Sequence, residues 1–421
     1  MSNKNTPAIV DALAVGQLPY SLLLKGGRVL DPANNIDAVM DVAIDGTTIA
    51  RVAADIPAAD AALVVDVSGH IVTPGLLDIH THVYPIVPSD DAYVGTINAD
   101  AHLLASGVTA TVDAGTTGWR DFPHFKEHYI DKAQVRILAF LNIADQGMVN
   151  TASEQDVAAL QPKIAAAVAE AYPDIIVGIK TAHYWTELPW DAKHPPWASV
   201  ERAIEAGELC GKPVMVDFWP RPPERPYPDL ILKKLRPGDI HTHVFAQQFP
   251  ILDPSGKVHD YMFMARERGV IFDLGHGAAS FWFRNAVPAL ADDFPPDTIS
   301  TDLHMGNVNG PVVNMLTTMS KYLSMGMSLQ EVIFHSTVAP AGAIGRPELG
   351  TLSVGAEADI AVFTHHTGAF GFTDCGRAKI IGNQKLECVM TVRAGEIIYD
   401  PTGLSMPEWQ HASAAYWKSS D

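Results

Sequence analysis

The hydrophobic pattern of this chain changes rhythm twice. Between residues 21 and 68 the apolar positions fall in short runs separated by turn signals: SLLLKGGRVLD, then DVAIDGTTIARV with Asp45-Gly46 as a hairpin turn, then ALVVDV. The same texture returns after residue 350 in GTLSVGAEADIAVFT and CVMTVRAGEIIYD, where Ala394-Gly395 reads as a second turn. The two ends are therefore expected to share one small β-sandwich, assembled from residues 20–70 and 350–402, with 1–19 and 403–421 as terminal tails.

Between the ends, apolar runs of strand length alternate with longer helical stretches, which is the pattern of βα repeats and a parallel sheet. Eight runs can be read: GLLDIHTH, GVTATVDAG, VRILAFLNI, DIIVGIKT, KPVMVDFW, DIHTHVFA, VIFDLGHG and DTISTDLH. Helices are expected between or after them, for example over EQDVAALQPKIAAAVAEAY and VNMLTTMSKYLSMG. Eight alternations over roughly 270 residues predict an α/β fold, a closed (β/α)8 TIM barrel spanning 71–349. An open doubly wound sheet fits less well, because no G-x-G-x-x-G follows an early strand. The proline-rich stretch from Trp219 to Pro228 reads as a rigid loop after the fifth run, since βα units continue on both sides of it.

Composition narrows the partners. Of 421 residues, 47% are hydrophobic and 18% charged, enough for one large domain with a smaller one. The 48 Asp and Glu against 29 Lys and Arg give a formal charge of −19 with no basic run, so neither nucleic acid nor an anionic membrane is an expected partner. A small-molecule substrate and further copies of the same chain, forming a homo-oligomer, are. Cys210, Cys375 and Cys388 lack Cys-x-x-Cys spacing, which argues against a disulfide framework or thiolate metal site and for a cytoplasmic setting. No apolar stretch approaches the ~18 residues of a membrane span.

Candidate chemistry collects where each run ends. His80 and His82, Asp113, Lys180, Asp217, His241 and His243, His276, Asp302 and His304 all close an apolar run, and in a barrel the catalytic groups sit at the C-terminal strand ends. His80 and His82, two apart on a strand, share a face and can reach one ion. Lys180 is costly as a buried cation unless it snorkels outward. His241 is expected on the same face as His243, either as a second ligand or as a hydrogen-bonded core residue. His102, His124 and His366 fall away from strand ends and read as surface or packing residues. Tyr84, Trp119, Tyr184, Trp185, Trp219, Phe281 and Trp282 crowd the expected mouth, favouring a substrate with an aromatic or apolar part, with Arg120 or Arg221 available for a carboxylate. A serine nucleophile elbow, G-x-S-x-G, is absent from the sequence.

The string Thr73-Pro-Gly-Leu-Leu-Asp-Ile-His-Thr-His82 resembles the first-strand signature of the amidohydrolase superfamily, and the resemblance runs from Gly26 to about Asp400. Gly178-Ile-Lys180, GDIHTHVF at 238–245, FDLGHGAASF at 272–281, Ile299-Ser-Thr-Asp302 and GTLSVGAEADI at 350–360 are similar to its dihydroorotase-like amidohydrolase/deacetylase branch. That resemblance implies one or two Zn2+ ions, or another divalent metal. His80, His82 and Asp302 would ligate the more buried ion, a carboxylated Lys180 would bridge, and His243 would ligate the second. Asp217 departs from the family, which has histidine at the end of the fifth strand. It is expected to be a ligand of the second ion ahead of His241, shifting preference toward harder ions. Asp302 is implied as the acid–base that takes a proton from metal-activated water. His276, Trp219, Trp282 and Tyr84 are the expected substrate-binding residues. The implied reaction is hydrolysis of an amide or acyl ester, as in an N- or O-deacetylase. Opening of a cyclic amide is the enzymatic alternative, and a catalytically silent barrel serving as a binding or assembly module is the alternative of another class.

Overall fold

Each apolar run of the middle segment ends as a parallel strand or bridge, with helical segments after it. The computed structural model describes residues 18–86, 95–186 and 188–418, so nearly all of the expected N-terminal tail lies outside it. Seven strands pair in chain order: Leu76–Thr81, Val108–Gly118, Arg136–Asn142, Ile176–Thr181, Val214–Val216, Ile240–His241 and Ile271–Phe272. The eighth run, 298–303, makes parallel bridges to both ends of this series, Asp273 with Thr298 and Thr81 with Leu303. Asp302 N–H donates to His80 O at 2.6 Å and His82 N–H to Leu303 O at 3.1 Å, so the sheet curls back onto its first strand. Asp78 reinforces the seam by accepting from Thr301 N–H at 3.0 Å and Thr301 Oγ1 at 2.5 Å. Burial pushes its carboxyl up to about 7 against those hydrogen bonds.

Two apolar layers hold this sheet. Leu77, Val112, Leu138, Phe140, Met215 and Ile240 fill the inside, closed by Ala341, Ile344 and Leu349. A larger layer that includes Phe122, Phe125, Tyr227, Leu230 and Phe294 lies between strands and helices. Each such side chain contributes about 1.5–3 kcal/mol relative to exposure. The helix expected over residues 154–172 is broken into Thr151–Gln155, a short 3-10 turn and Pro162–Ala171. Pro162, with no N–H to give, starts the second helix instead of continuing the first. The expected helix near 313–326 forms over Met315–Ser324.

The terminal segments come together around one apolar core that includes Leu22, Val42, Ile44, Ile360, Val362 and Met390. They form one continuous eight-stranded sheet, in which Ile71–Pro74 joins the two ends by pairing antiparallel with Ile360–Phe363 and parallel with Tyr20–Asp31. Alternation along a strand reports which face is buried, but edge-to-edge pairing leaves the same pattern while satisfying the backbone groups at both edges. Both turns read from the sequence are present: Asp45 pairs with Thr48, and Arg393 with Glu396 across Ala394-Gly395. The sheet docks on the barrel through Leu386 N–H to Ser320 Oγ at 3.0 Å and Thr391 Oγ1 to Leu104 O at 2.7 Å. Phe363, Phe372 and Leu386 extend the outer apolar layer into it. Among the described residues no helix is long and apolar enough to cross a membrane.

Candidate active site

At the C-terminal ends of the strands a cavity of about 190 Å³ is lined by His80, His82, Lys180, His183, Asp217, His243, Asp302 and His304, with Met148 and residues 278–280 as its walls. Its histidines are anchored from behind. His80 Nδ1 lies 2.9 Å from Thr242 Oγ1, which donates to Asp273 Oδ2 at 2.7 Å. Asp273 is buried and also accepts from Thr298 and Ser300 at 2.6 and 2.7 Å. His82 Nδ1 meets Thr116 Oγ1 at 2.7 Å, and His243 Nδ1 donates to Gly275 O at 2.6 Å. All three rings therefore present Nε2 to the cavity. His80 Nε2 stands 3.6 Å and His82 Nε2 3.0 Å from Asp302 Oδ1, and one ligating atom from each of the three residues lies within 4.8 Å of the others. Orienting partners behind a ligating imidazole are characteristic of metal sites, and the N, N, O donor set suits zinc.

Lys180 is fully buried, its Nζ 3.4 Å from His80 Nε2. Burial drives its pKa down, opposed chiefly by Asp217 and Asp302. Burial likewise lowers His80, to about 3, keeping it a neutral donor. For Asp302 burial would raise the pKa, but the imidazole surroundings, with His82 Nε2 hydrogen-bonded at 3.0 Å, outweigh it and hold the carboxyl well below the ordinary range. Asp217 is held low in the same way, by His243 and His183 against burial. The backbone here is strained: His183, His243 and Asp302 have φ of 52°, 64° and 51°. Such conformations cost about 1–3 kcal/mol each and concentrate at functional sites. Two glycines make room. A Cβ on Gly115, at φ +82°, would stand 2.5 Å from Lys180 Cγ, and one on Gly277, at φ +57°, 2.5 Å from Asp302 Oδ2.

The site thus brings together His80, His82, Lys180, Asp217, His243 and Asp302 from five strand ends. The four expected substrate-binding residues lie elsewhere. His276 is fully buried, its Nδ1 on Gly277 O at 3.0 Å and its Nε2 accepting from Lys321 Nζ at 2.6 Å. Tyr84 contacts His124 through its hydroxyl and packs on Phe125 and Tyr129. Trp282 donates to Ala279 O and lies under Arg284, while Trp219 is exposed outside the lining. His241 does not share the face of His243. It packs against Tyr227, Phe249 and Phe272 in the outer layer, because the sixth strand stops at His241 and the left-handed turn at His243 breaks the period of two. Arg120 pairs with Asp145, and Arg221 donates to Trp185 O at 2.9 Å.

Sequence reasoning passed over several residues. His183 Nε2 lies 3.2 Å from Asp217 Oδ2 and its Nδ1 3.0 Å from Glu154 Oε2. Burial would lower this imidazole, but the two carboxylates, Glu154 foremost, raise it to about 10. Its position three residues beyond Lys180 was the available signal. His304, already singled out at the end of the eighth run, has its Nδ1 accepting from Gly306 N–H at 3.0 Å, so the neutral ring carries its proton on Nε2. Thr116, Thr242 and Asp273 act behind the histidines, and residue types so common carry no mark in a single sequence.

Residues 283–398 match the amidohydrolase family. A deacetylase of Enterococcus faecalis is 30% identical over 386 residues, covering 91% of this chain and 100% of that protein. The crystal structure of an adenine deaminase superposes with a TM-score of 0.81 at 30% identity, covering 90% of this chain and 100% of that one. That of a dihydroorotase gives 0.76 at 28%, covering 90% and 99%.

Proposed function

This chain belongs to the amidohydrolase family, and from that premise we propose that it is a metal-dependent hydrolase cleaving the carbon–nitrogen bond of a small acylated substrate, in the manner of a deacetylase. The observation that carries the reading is the convergence of His80 Nε2, His82 Nε2 and Asp302 Oδ1 beside a fully buried lysine. These three residues would hold one divalent ion, zinc by their donor set. Lys180, as a carbamate, would link it to a second ion on His243 and Asp217; carboxylation would turn a buried amine, whose pKa burial lowers, into an anionic ligand. When bound, such ions supply Lewis acidity, polarising a carbonyl and lowering the pKa of water.

The remaining work falls to the chain itself. Asp302, held ionised, takes the proton from water as it adds to the carbonyl and returns it to the leaving nitrogen. His304, with its proton on Nε2 and its ring on the cavity, donates to the substrate. Ala278, Ala279 and Ser280 wall a space of about 190 Å³, which favours a compact acyl group. Three free cysteines accord with a cytoplasmic setting, and exposed Trp409, Tyr416 and Trp417 with assembly into homo-oligomers.

Protein stripped with a chelator and reconstituted with zinc should hydrolyse N-acetyl or O-acetyl compounds and be inactive before reconstitution. A second reading, opening of a cyclic amide, draws on the likeness to a dihydroorotase. Turnover of dihydropyrimidines or hydantoins with none of the acyclic acetyl compounds would replace the first reading by the second.

A further inference from the structure

Asp217 follows the fifth strand at the position where the family resemblance implies a histidine, and its carboxylate is held by named neighbours. Its Oδ2 is shared between His183 Nε2 at 3.2 Å and His243 Nε2 at 3.6 Å. Behind His183, Glu154 Oε2 takes the other ring nitrogen at 3.0 Å, and Glu154 Oε1 accepts from Asn142 Nδ2 at 3.0 Å. Asn142, at the end of the third strand, is fixed in turn by donating to Gly115 O at 3.0 Å and accepting from Ala144 N–H at 2.9 Å. Glu154 and Asn142 are both buried. The turn that carries His183 is gripped by the same short helix: Gln155 Nε2 donates to His183 O at 2.8 Å, and Gln155 Oε1 accepts from Trp185 N–H at 2.5 Å. Both His183 and Trp185 have left-handed backbone, φ 52° and 44°, a conformation that persists only where neighbours over-determine it.

We infer that Glu154 and His183 form a positioning chain that holds Asp217 as a ligand for the second cation beside His243 and Lys180, doing for a carboxylate on this strand what hydrogen-bonded carboxylates and carbonyls do for ligating histidines. Without His183, the carboxylate would keep only the longer contact of 3.6 Å to His243 Nε2. With both ring nitrogens of His183 engaged between Glu154 and Asp217, Oδ2 of the carboxylate meets a partner that is itself fixed in place. His183 and Glu154 are positioning residues and need not touch substrate.

The inference rests on the two-ion reading above, and the two can be separated by titrating zinc against a chromophoric chelator. The parent protein, His183→Ala, Glu154→Gln, Asp217→His, and Asp217→His combined with His183→Ala are compared. The expected result is two ions in the parent, with the weaker bound about 10-fold or more less tightly in His183→Ala and Glu154→Gln while the tighter ion is unaffected. In the Asp217→His background, which no longer needs the chain, removing His183 should leave the weaker ion unchanged. An equal loss in both backgrounds, or no loss in either, would overturn the inference while leaving two-ion binding intact. A single ion in the parent would remove both. Should His183→Ala fail to fold, Glu154→Gln tests the same chain with the imidazole still in place, and retention of the tighter ion reports that its barrel is native.

Discussion

Thr116 holds His82 by Nδ1 at 2.7 Å, so Thr116→Val removes the anchor of one ligand while preserving volume. Zinc affinity should fall about 10–100-fold, and the buried imidazole nitrogen left without a partner should cost about 1–3 kcal/mol. Chelator competition and urea unfolding measure the two separately, and unchanged affinity would mean that the hydroxyl is not what orients the ring. Lys180 gives a sharper result. Lys180→Ala should lower metal content and kcat together, by about 100-fold or more, and formate or acetate should restore part of both by supplying the missing oxygen ligand. If neither moves, the lysine is structural. At this scale the sequence was informative for residues that end strands, since His80, His82, Lys180, Asp217, His243 and Asp302 each interrupt an apolar run. It was silent on Thr116, Thr242 and Asp273, whose residue types are common everywhere.

Helix Met315–Ser324 buries Lys321 beneath the turn at residues 275–277, where its Nζ donates to His276 Nε2 at 2.6 Å and to Pro311 O at 2.8 Å. Burial brings this lysine down to about 7, with Cys375 and Asp374 opposing. Between about pH 7 and the ordinary lysine pKa near 10, the unfolded chain therefore binds a proton that the folded chain does not, and stability should rise with pH across that window. Lys321→Met should flatten this rise; urea unfolding at pH 7 and 9 measures it, and the slope is the readout because the lost hydrogen bonds shift both points alike. A rise of the same size in the variant would assign the titration to another group. The placement of this lysine against His276 was not legible in the sequence, because the helix approaches the seventh-strand loop only after the chain has wound past the eighth.

For the whole molecule, a cation that binds the folded barrel and not the unfolded chain stabilises it by mass action, about 4 kcal/mol at a thousand-fold excess over Kd. Chelation should lower Tm by several degrees and zinc should restore it. His80→Ala protein should show no such response, and a Tm indifferent to chelator in the parent would count against a resident ion. The order of eight runs, their alternation with helices, both hairpin turns and the polar residue closing each run were fixed by the sequence alone. Periodicity and turn chemistry are local, so they survive without knowledge of any partner. Three things were decided only by tertiary structure. The terminal strands joined edge to edge in one sheet, because a half-buried pattern does not say which edge is paired. His241 went to the outer layer and His243 to the cavity, because a strand two residues long gave way to a left-handed turn that reversed the expected face. Glu154, His183 and Asp217 met across three segments of the chain, because a buried hydrogen-bond partner is chosen by where loops return in space, which spacing along the sequence does not encode.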